Sequence, residues 1–386
     1  MQLGFLVVTL VAVFGLGANA EAWCPFGGVE AAYEYVTAGT ALCSLGVSNF
    51  YILASVLLLT LLLRRVFCGY MCPIGSISEL LFDAAKRLGF KPKDVTGTPD
   101  RILSLLKYPL LLYILYISWK AAELLFRGFD PVYALISRHG KDITMWSYVA
   151  LGAVLVGSLF VRIPFCRWLC PMAAVMNPVP RFGLFRIERH GDSCTSCGLC
   201  DKVCPVAIPV SQVEVVNHAR CYGCMECLEA CPPKAQGSLT FGPKLGAAPL
   251  RLPQTGVIAT ILVLVTAAAT ADHLWPLPSF VKERGIAPAE TAFVELGVSD
   301  VTCRGSSTGL WNFMQRDDEF ALPDYLRLET WPGTDFARVR VIFDANSADA
   351  EAVRLAITTP VFTADGDWLV PDYRIEGYDP LGLKEP

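Results

Sequence analysis

The sequence predicts a mainly α-helical membrane bundle of about five spans, interrupted by a cysteine-rich insert and followed by an α+β tail. Three observations carry that expectation. The 386 residues are 53% hydrophobic and 18% charged with mean hydropathy +0.45, too apolar for a soluble domain of this length. Apolar runs suited to a hydrocarbon core of about 30 Å occupy 3–18, 50–63, 108–126, 146–163 and 255–271, the second with help from its flanks. Two twelve-residue runs, C-T-S-C-G-L-C-D-K-V-C-P from Cys194 and C-Y-G-C-M-E-C-L-E-A-C-P from Cys221, share one spacing. The expected divisions are 1–20 (first span or signal peptide), 21–185 (membrane domain), 186–253 (insert), 254–275 (last span) and 276–386 (tail).

Taken from the N-terminus, Ala18-Asn19-Ala20 resembles a cleavage site, although the positive n-region of a signal peptide is missing. In either case Glu21 emerges outside. Segment 21–47 has no Lys or Arg, whereas Arg64, Arg65, Lys86, Arg87, Lys91, Lys93, Arg101 and Lys107 crowd the loop after the second span, which makes that loop cytoplasmic. Within it, 76–88 reads as an amphipathic helix along the membrane surface, with Ile77, Leu80, Leu81 and Ala84 on one side and Glu79, Asp83, Lys86 and Arg87 more polar. Lys and Arg also outnumber Asp and Glu across 162–251, so the insert is expected in the cytoplasm. The tail holds 10 Lys/Arg against 19 Asp/Glu, a balance that suits an exported domain.

Two residues between successive cysteines let one tight loop aim three thiolates at one face of a cuboidal [4Fe–4S] cluster. In the bacterial two-cluster arrangement the fourth thiolate comes from the other run. One cluster then takes Cys194, Cys197, Cys200 and Cys231, and the other Cys221, Cys224, Cys227 and Cys204, with Pro205 and Pro232 ending the runs. Disulfides and zinc are the competing readings. Two identical runs disfavour the first, and zinc sites want two C-x-x-C pairs rather than a triple with a distal Cys-Pro.

A second cysteine pattern, F-C-x-x-x-C-P, follows two of the spans, at Cys68 and Cys72 and again at Cys166 and Cys170. A span-plus-motif unit that occurs twice suggests two related halves that bring these four cysteines together at the inner membrane surface. There they could bind a further metal centre, cycle as thiol pairs, or pack as small apolar residues. On the outside, Cys24 and Cys43 are expected to form a disulfide.

These motifs resemble those of the NapH/NosR/CcoG-type polyferredoxin membrane proteins over about 23–252, and C-P-F-G-G-V-E with F-C-G-Y-M-C-P-I-G-S-I-S-E-L is similar to the NapH-like branch. The resemblance implies quinol oxidation or transmembrane electron transfer that serves a partner redox protein. The exported flavin domain of NosR, with its S-G-A-T segment, has no counterpart here. The tail instead resembles a βαββαβ unit of the heavy-metal-associated kind, with strands at 292–298, 325–330 and 338–343 and helices at 307–315 and 348–357. Its first loop reads Cys303-Arg304-Gly305-Ser306, one soft ligand short of C-x-x-C, so copper binding by that loop alone is not expected.

A quinol site needs a proton acceptor, and Lys120, Glu123, Asp272 and His273 at span ends are the candidates, against simple pairing or helix capping. His139, His190 and His218 have no ligand-spaced partners, and no C-x-x-C-H occurs, so haem is not expected. Nothing matches G-x-G-x-x-G or a Walker A run, so neither ATP nor NAD is expected, and nucleic acid is not an expected partner. Electron transfer between a quinol pool or cytoplasmic donor and a partner is the leading function. Delivery of reducing equivalents to thiols or metal at the outer face through Cys24, Cys43, Cys303 and the tail is the alternative, and a scaffold that merely anchors a partner complex, which would need no second cluster, is a third.

Overall fold

A computed structural model describes residues 2–15, 24–38, 48–90, 95–121, 128–136, 144–235, 237–243, 252–278, 280–301, 304–315, 322, 325–331, 336–362, 368–369 and 373–378. The chain divides into two compact units, one of Met1–Phe26 with Tyr51–Thr270 and one of Gly27–Phe50 with Ala271–Pro386.

Helices stand on all five apolar runs. In chain order the helices up to residue 176 are α1 (Gln2–Leu10, continued by a π turn at Val11–Gly15), α2 (Pro25–Ala38), α3 (Ser48–Leu63), α4 (Pro73–Arg87), α5 (Thr98–Leu103), α6 (Lys107–Ala121), α7 (Pro131–Ile136), α8 (Met145–Phe160) and α9 (Pro171–Met176). Among the described residues only Gln254–Leu274 is long and apolar enough to cross a membrane. Its 21 residues rise about 31 Å, whereas the 16 of α8 rise about 24 Å.

The two F-C-x-x-x-C-P segments wind the same way. Phe67–Met71 and Phe165–Leu169 are π turns, closed by Cys72 N–H to Phe67 O at 3.1 Å and Cys170 N–H to Phe165 O at 2.9 Å. The second cysteine of each is extended, with ψ 115° and 116°, because the following proline disfavours the helical region. Pro73 and Pro171 then open α4 and α9 at the position where a missing N–H costs nothing. Helix α4 exists where an amphipathic helix was expected, but the protein buries Ile74, Ser78, Phe82 and Ala85, together with Glu79. Leu80 and Ala84, on the expected apolar side, are exposed.

The insert is clasped at its ends by β1 (Phe185–Arg189), antiparallel to β2 (Leu239–Pro243). Between them the two cysteine runs repeat one backbone: Ser196 and Gly223 have φ of 53° and 66°, and Gly198 and Met225 have 66° and 63°. Short helices α10 (Leu199–Val203) and α11 (Glu226–Glu229) follow each left-handed residue, and α12 (Gln254–Leu274) leaves the insert.

The other unit holds a four-stranded antiparallel sheet of β3 (Phe280–Arg284), β4 (Thr291–Ser299), β5 (Leu326–Trp331) and β6 (Phe336–Asp344), in the order β3-β5-β6-β4. Helices α13 (Arg304–Phe313) and α14 (Ala350–Thr358) cover one face, where Val298, Leu328, Val339 and Val341 meet Leu310, Val353 and Ile357. The order β5-β6-β4 is the split βαβ core of the expected βαββαβ unit. Among the described residues its last strand is a single bridge, from Ile375 to Val298 on that edge; β3 is added on the other, and β7 (Val361–Phe362) pairs with β8 (Trp368–Leu369).

Candidate metal centres

The eight ferredoxin-type cysteines divide between two small cavities. One is lined by Cys194, Cys197, Cys200 and Cys231, the other by Cys204, Cys221, Cys224 and Cys227. Their surroundings differ. Cys197 is exposed, whereas Cys221 and Cys227 are buried against Ile187, Val206 and Val216. The Ser196 backbone N–H and Arg189 hold the Cys194 thiol below its ordinary value. Burial pushes Cys200 and Cys204 up to about 11, and Cys224 and Cys227 well above the thiol range. Such thiols are neutral by themselves, and a cationic iron core is what would deprotonate them. Among the described residues no three His, Cys, Asp or Glu side chains converge on a single-ion site. Four thiols spread around a cavity, on left-handed turns that form anion-receiving concavities, suit a multi-iron core.

A third cavity, of about 460 Å³, is lined by Cys68, Cys72, Cys166 and Cys170 from both F-C-x-x-x-C-P segments. The halves meet closely: a Cβ on Gly75 would lie 3.1 Å from Cys68 O and 3.9 Å from Cys166 Sγ. Cys68 Sγ lies 3.9 Å from Met176 Sδ. Burial, with the neighbouring thiols, pushes Cys72 and Cys166 well up and Cys170 up to about 12. The rest of the wall is mostly apolar, with Val13, Phe26, Phe67 and Ile74 on it, and α1 contributes Val8 and Thr9.

Two further residues on this wall were not foreseen. Cys24 was expected on the opposite side of the membrane from the F-C-x-x-x-C-P cysteines, but it lines their cavity. Asp130, 8% exposed, lines it too; burial pushes its carboxyl up to about 6 despite the Val132 N–H donated at 2.9 Å. Cys24-Pro25 opens α2 and Asp130-Pro131 opens α7, each between an apolar helix and the next. The repeat is therefore longer than one span and one motif, and this second X-Pro pair was the available sign. Of the proposed proton acceptors, Lys120 and His273 are exposed, Asp272 ends α12, and Glu123 lies outside the described residues. Cys43, Cys303 and His139 also lie outside them, so neither the Cys24–Cys43 bridge nor the tail thiol is described.

The insert locks onto the F-C-x-x-x-C-P region through the buried cavity rather than the exposed one. A Cβ on Gly69 would lie 3.4 Å from Tyr222 Cβ and 3.7 Å from Cys224 Cβ, and the Tyr70 hydroxyl donates to Cys224 O at 3.0 Å. Arg64 donates to His218 O at 2.9 Å. Arg162 donates to Val203 O and pairs with Glu226 at 2.8 Å and Glu79 at 3.0 Å.

Comparison with known proteins agrees with this division. The family described as "4Fe-4S binding domain" matches residues 45–91 and 143–190, one F-C-x-x-x-C-P segment in each, and the "4Fe-4S dicluster domain" matches 186–232. The putative electron transport protein YccM of Escherichia coli is 32% identical over 63% of this chain and 70% of its own length. An uncharacterised protein of Methanocaldococcus jannaschii is 31% identical over 46% of this chain and 74% of its own. Protein NirI of Paracoccus denitrificans, 30% identical, matches 59% of this chain but only 34% of its own length. NosR, MauN and NapH proteins match as well. No solved structure matches. On these matches the chain belongs to the NapH/NosR-type polyferredoxin family.

Proposed function

We propose that this protein is a membrane-bound electron-transfer subunit whose three groups of four cysteines hold iron–sulfur clusters in series, linking a soluble redox partner to a quinol-type carrier in the bilayer. The observation that carries the reading is the order of the groups. Cys197 is exposed, Cys221 and Cys227 are buried, and the Gly69–Tyr70 turn joins the Cys224 loop to the Cys68/Cys72 wall of the apolar cavity. The ligand sets are Cys194, Cys197, Cys200 and Cys231; Cys204, Cys221, Cys224 and Cys227; and Cys68, Cys72, Cys166 and Cys170. When bound, such clusters supply one-electron redox chemistry.

The chain's own residues supply the rest. The wall is mostly apolar, and Asp130 is the one carboxylate on it among the described residues, placed to take the proton that a hydroquinone releases on oxidation. YccM is described as a putative electron transport protein, and MauN and NapH as ferredoxin-type proteins, in keeping with this role. With the Lys/Arg-rich loops inside, the start of α2 and the α7 segment re-enter the bilayer to reach the cavity. Val8 of α1 and Val13 of the π turn after it stand on the wall of the same cavity.

Anaerobic iron and sulfide quantification with low-temperature electron paramagnetic resonance tests the series. Wild type should hold about twelve irons, and a variant with Cys68, Cys72, Cys166 and Cys170 all changed to Ser about eight. Equal iron in both proteins would make those four cysteines thiols without a cluster. Asp130→Asn should slow quinol-dependent reduction at least tenfold while leaving reduction by dithionite unchanged.

A further inference from the structure

Arg64 and Arg65, which positive-inside counting assigns to topology alone, are 0% and 1% exposed. Among the described residues neither has a carboxylate within ion-pair distance. Among those residues the buried Nε and Nη1 of Arg64 and Nε of Arg65 also have no hydrogen-bond partner. The second repeat handles its cations differently: Arg162 pairs with Glu79 and Glu226, and Arg167 with Asp100 at 2.8 Å. A buried guanidinium needs an anion, because solvation lost on burial is not recovered from neutral partners.

The acidic groups beside these two cations are cysteines, joined at Arg65 by the Tyr222 phenol, and the cysteines differ between the two. Arg65 Nη2 lies 3.7 Å from Cys68 Sγ. Its Nη1 donates to Asn177 Oδ1 at 3.0 Å, and its guanidinium carbon sits 5.1 Å over the Tyr222 ring, so its position is fixed. Arg64 is anchored at 2.9 Å on the carbonyl of His218, three residues before Cys221, and its neighbours Leu63 and Val66 pack on the same loop, where a Cβ on Gly223 would lie 2.8 Å from Leu63 O and 3.1 Å from Val66 Cγ1. Neutral thiols would leave both charges uncompensated; thiolate-ligated clusters, which carry net negative charge, would not.

We propose that Arg64 and Arg65 are positioning residues that act as separate counter-cations of two neighbouring centres: Arg65 for the Cys68/Cys72/Cys166/Cys170 group, Arg64 for the Cys204/Cys221/Cys224/Cys227 group. One-electron reduction, by the partner in the cell or by dithionite in a titration, adds one negative charge beside the guanidinium and makes or breaks no bond. A fixed cation there favours the reduced state and raises the potential. Adjacent positions in the chain thus set the two potentials independently. The Arg65 half rests on the reading of a third cluster, and the Arg64 half only on the dicluster segment.

Redox titrations of detergent-purified full-length protein, followed by electron paramagnetic resonance with iron counted in each sample, test this. Arg65→Gln removes the charge and keeps a polar, uncharged donor, whereas Arg65→Lys keeps the charge. It should lower the reduction equilibrium of the third centre at least tenfold, 59 mV for a one-electron couple, and leave both dicluster signals in place. Arg64→Gln should shift one dicluster signal and spare the third centre, and the Lys variants should shift less. Loss of four irons in Arg65→Gln with retention in Arg65→Lys supports the same conclusion. Unmoved potentials at full iron content, equal shifts of all signals, or iron loss in both Gln and Lys variants would overturn it. A wild type without a third signal overturns the third-cluster reading and the Arg65 half with it, while the Arg64 titration still decides its own half.

Discussion

The first repeat leaves its two buried arginines facing thiols, whereas the second places its buried arginines against Glu79, Glu226 and Asp100. The backbones of the two halves are nearly the same, with a π turn, an extended cysteine and a Pro-opened helix in each. Their X-Pro segments differ in the same sense, Cys24 in one and Asp130 in the other. Geometry has thus been kept in both halves while charge has diverged. In the second half buried cations are matched by carboxylates; in the first, among the described residues, they face thiols and neutral oxygens.

The comparison breaks most visibly at Asp100. This buried carboxylate accepts from Arg167 Nε at 3.1 Å and Trp168 Nε1 at 2.8 Å, and also pairs with Arg220. Asp100→Ala strands two cations and should cost about 3–5 kcal/mol in denaturation of detergent-solubilised protein. Arg65→Met in cluster-free protein removes a cation without stranding an anion, so it should cost far less or stabilise. Similar losses for both variants would erase the distinction between the halves.

Asp130 offers a pH test. The folded carboxyl titrates at about 6 against an ordinary 3.8, so between those values the native state holds more protons than the unfolded chain. Stability is then highest at the acidic end and falls as pH rises towards 6, by at most about 1.4 kcal/mol per unit, and is flat above. Asp130→Asn should remove that slope, as read from melting temperature against pH; a slope that survives assigns it to another group.

Much of this site could be read from local pattern. The Cys194 and Cys221 runs, the two F-C-x-x-x-C-P segments and the five apolar helices are each short-range features, in which residue spacing alone carries the information. What could not be read depends on packing between distant segments. Cys24 and Asp130 reach the cysteine cavity only because 24–26 and 130–136 fold back onto it. Arg64 and Arg65 look like ordinary loop charges until burial is known, and Glu79 looks like a solvent-facing residue until Arg162 is found beside it. In the tail the strand and helix pattern was legible, but the added β3 edge and the single Ile375 bridge are choices of sheet edge that alternation does not encode.

The join between the insert and the first half is sharpened by Gly223. Its φ is 66°, and a Cβ there would lie 2.8 Å from Leu63 O, so Gly223→Ala combines backbone strain with a clash against carbonyl oxygen. A loss of about 1–3 kcal/mol is expected, with weakened seating of the Cys221–Cys224 loop. The equivalent residue of the other run is Ser196, already a non-glycine with φ 53°, so Ser196→Ala should be much milder. Equal effects of the two would mean that the contact with Leu63 does not matter.

Tyr70→Phe makes the smallest change at that join, and it separates mechanical from electronic coupling. It deletes only the hydroxyl that donates to Cys224 O at 3.0 Å and should cost about 1 kcal/mol of stability. The close approach of Gly69 to Tyr222 and Cys224 stays in place, since it is a backbone contact. If that approach sets the spacing between the cysteine groups, single-turnover reduction of the dicluster segment from the membrane side should keep its wild-type rate in Tyr70→Phe. A tenfold slowing at full iron content would instead assign the coupling to the hydrogen bond itself.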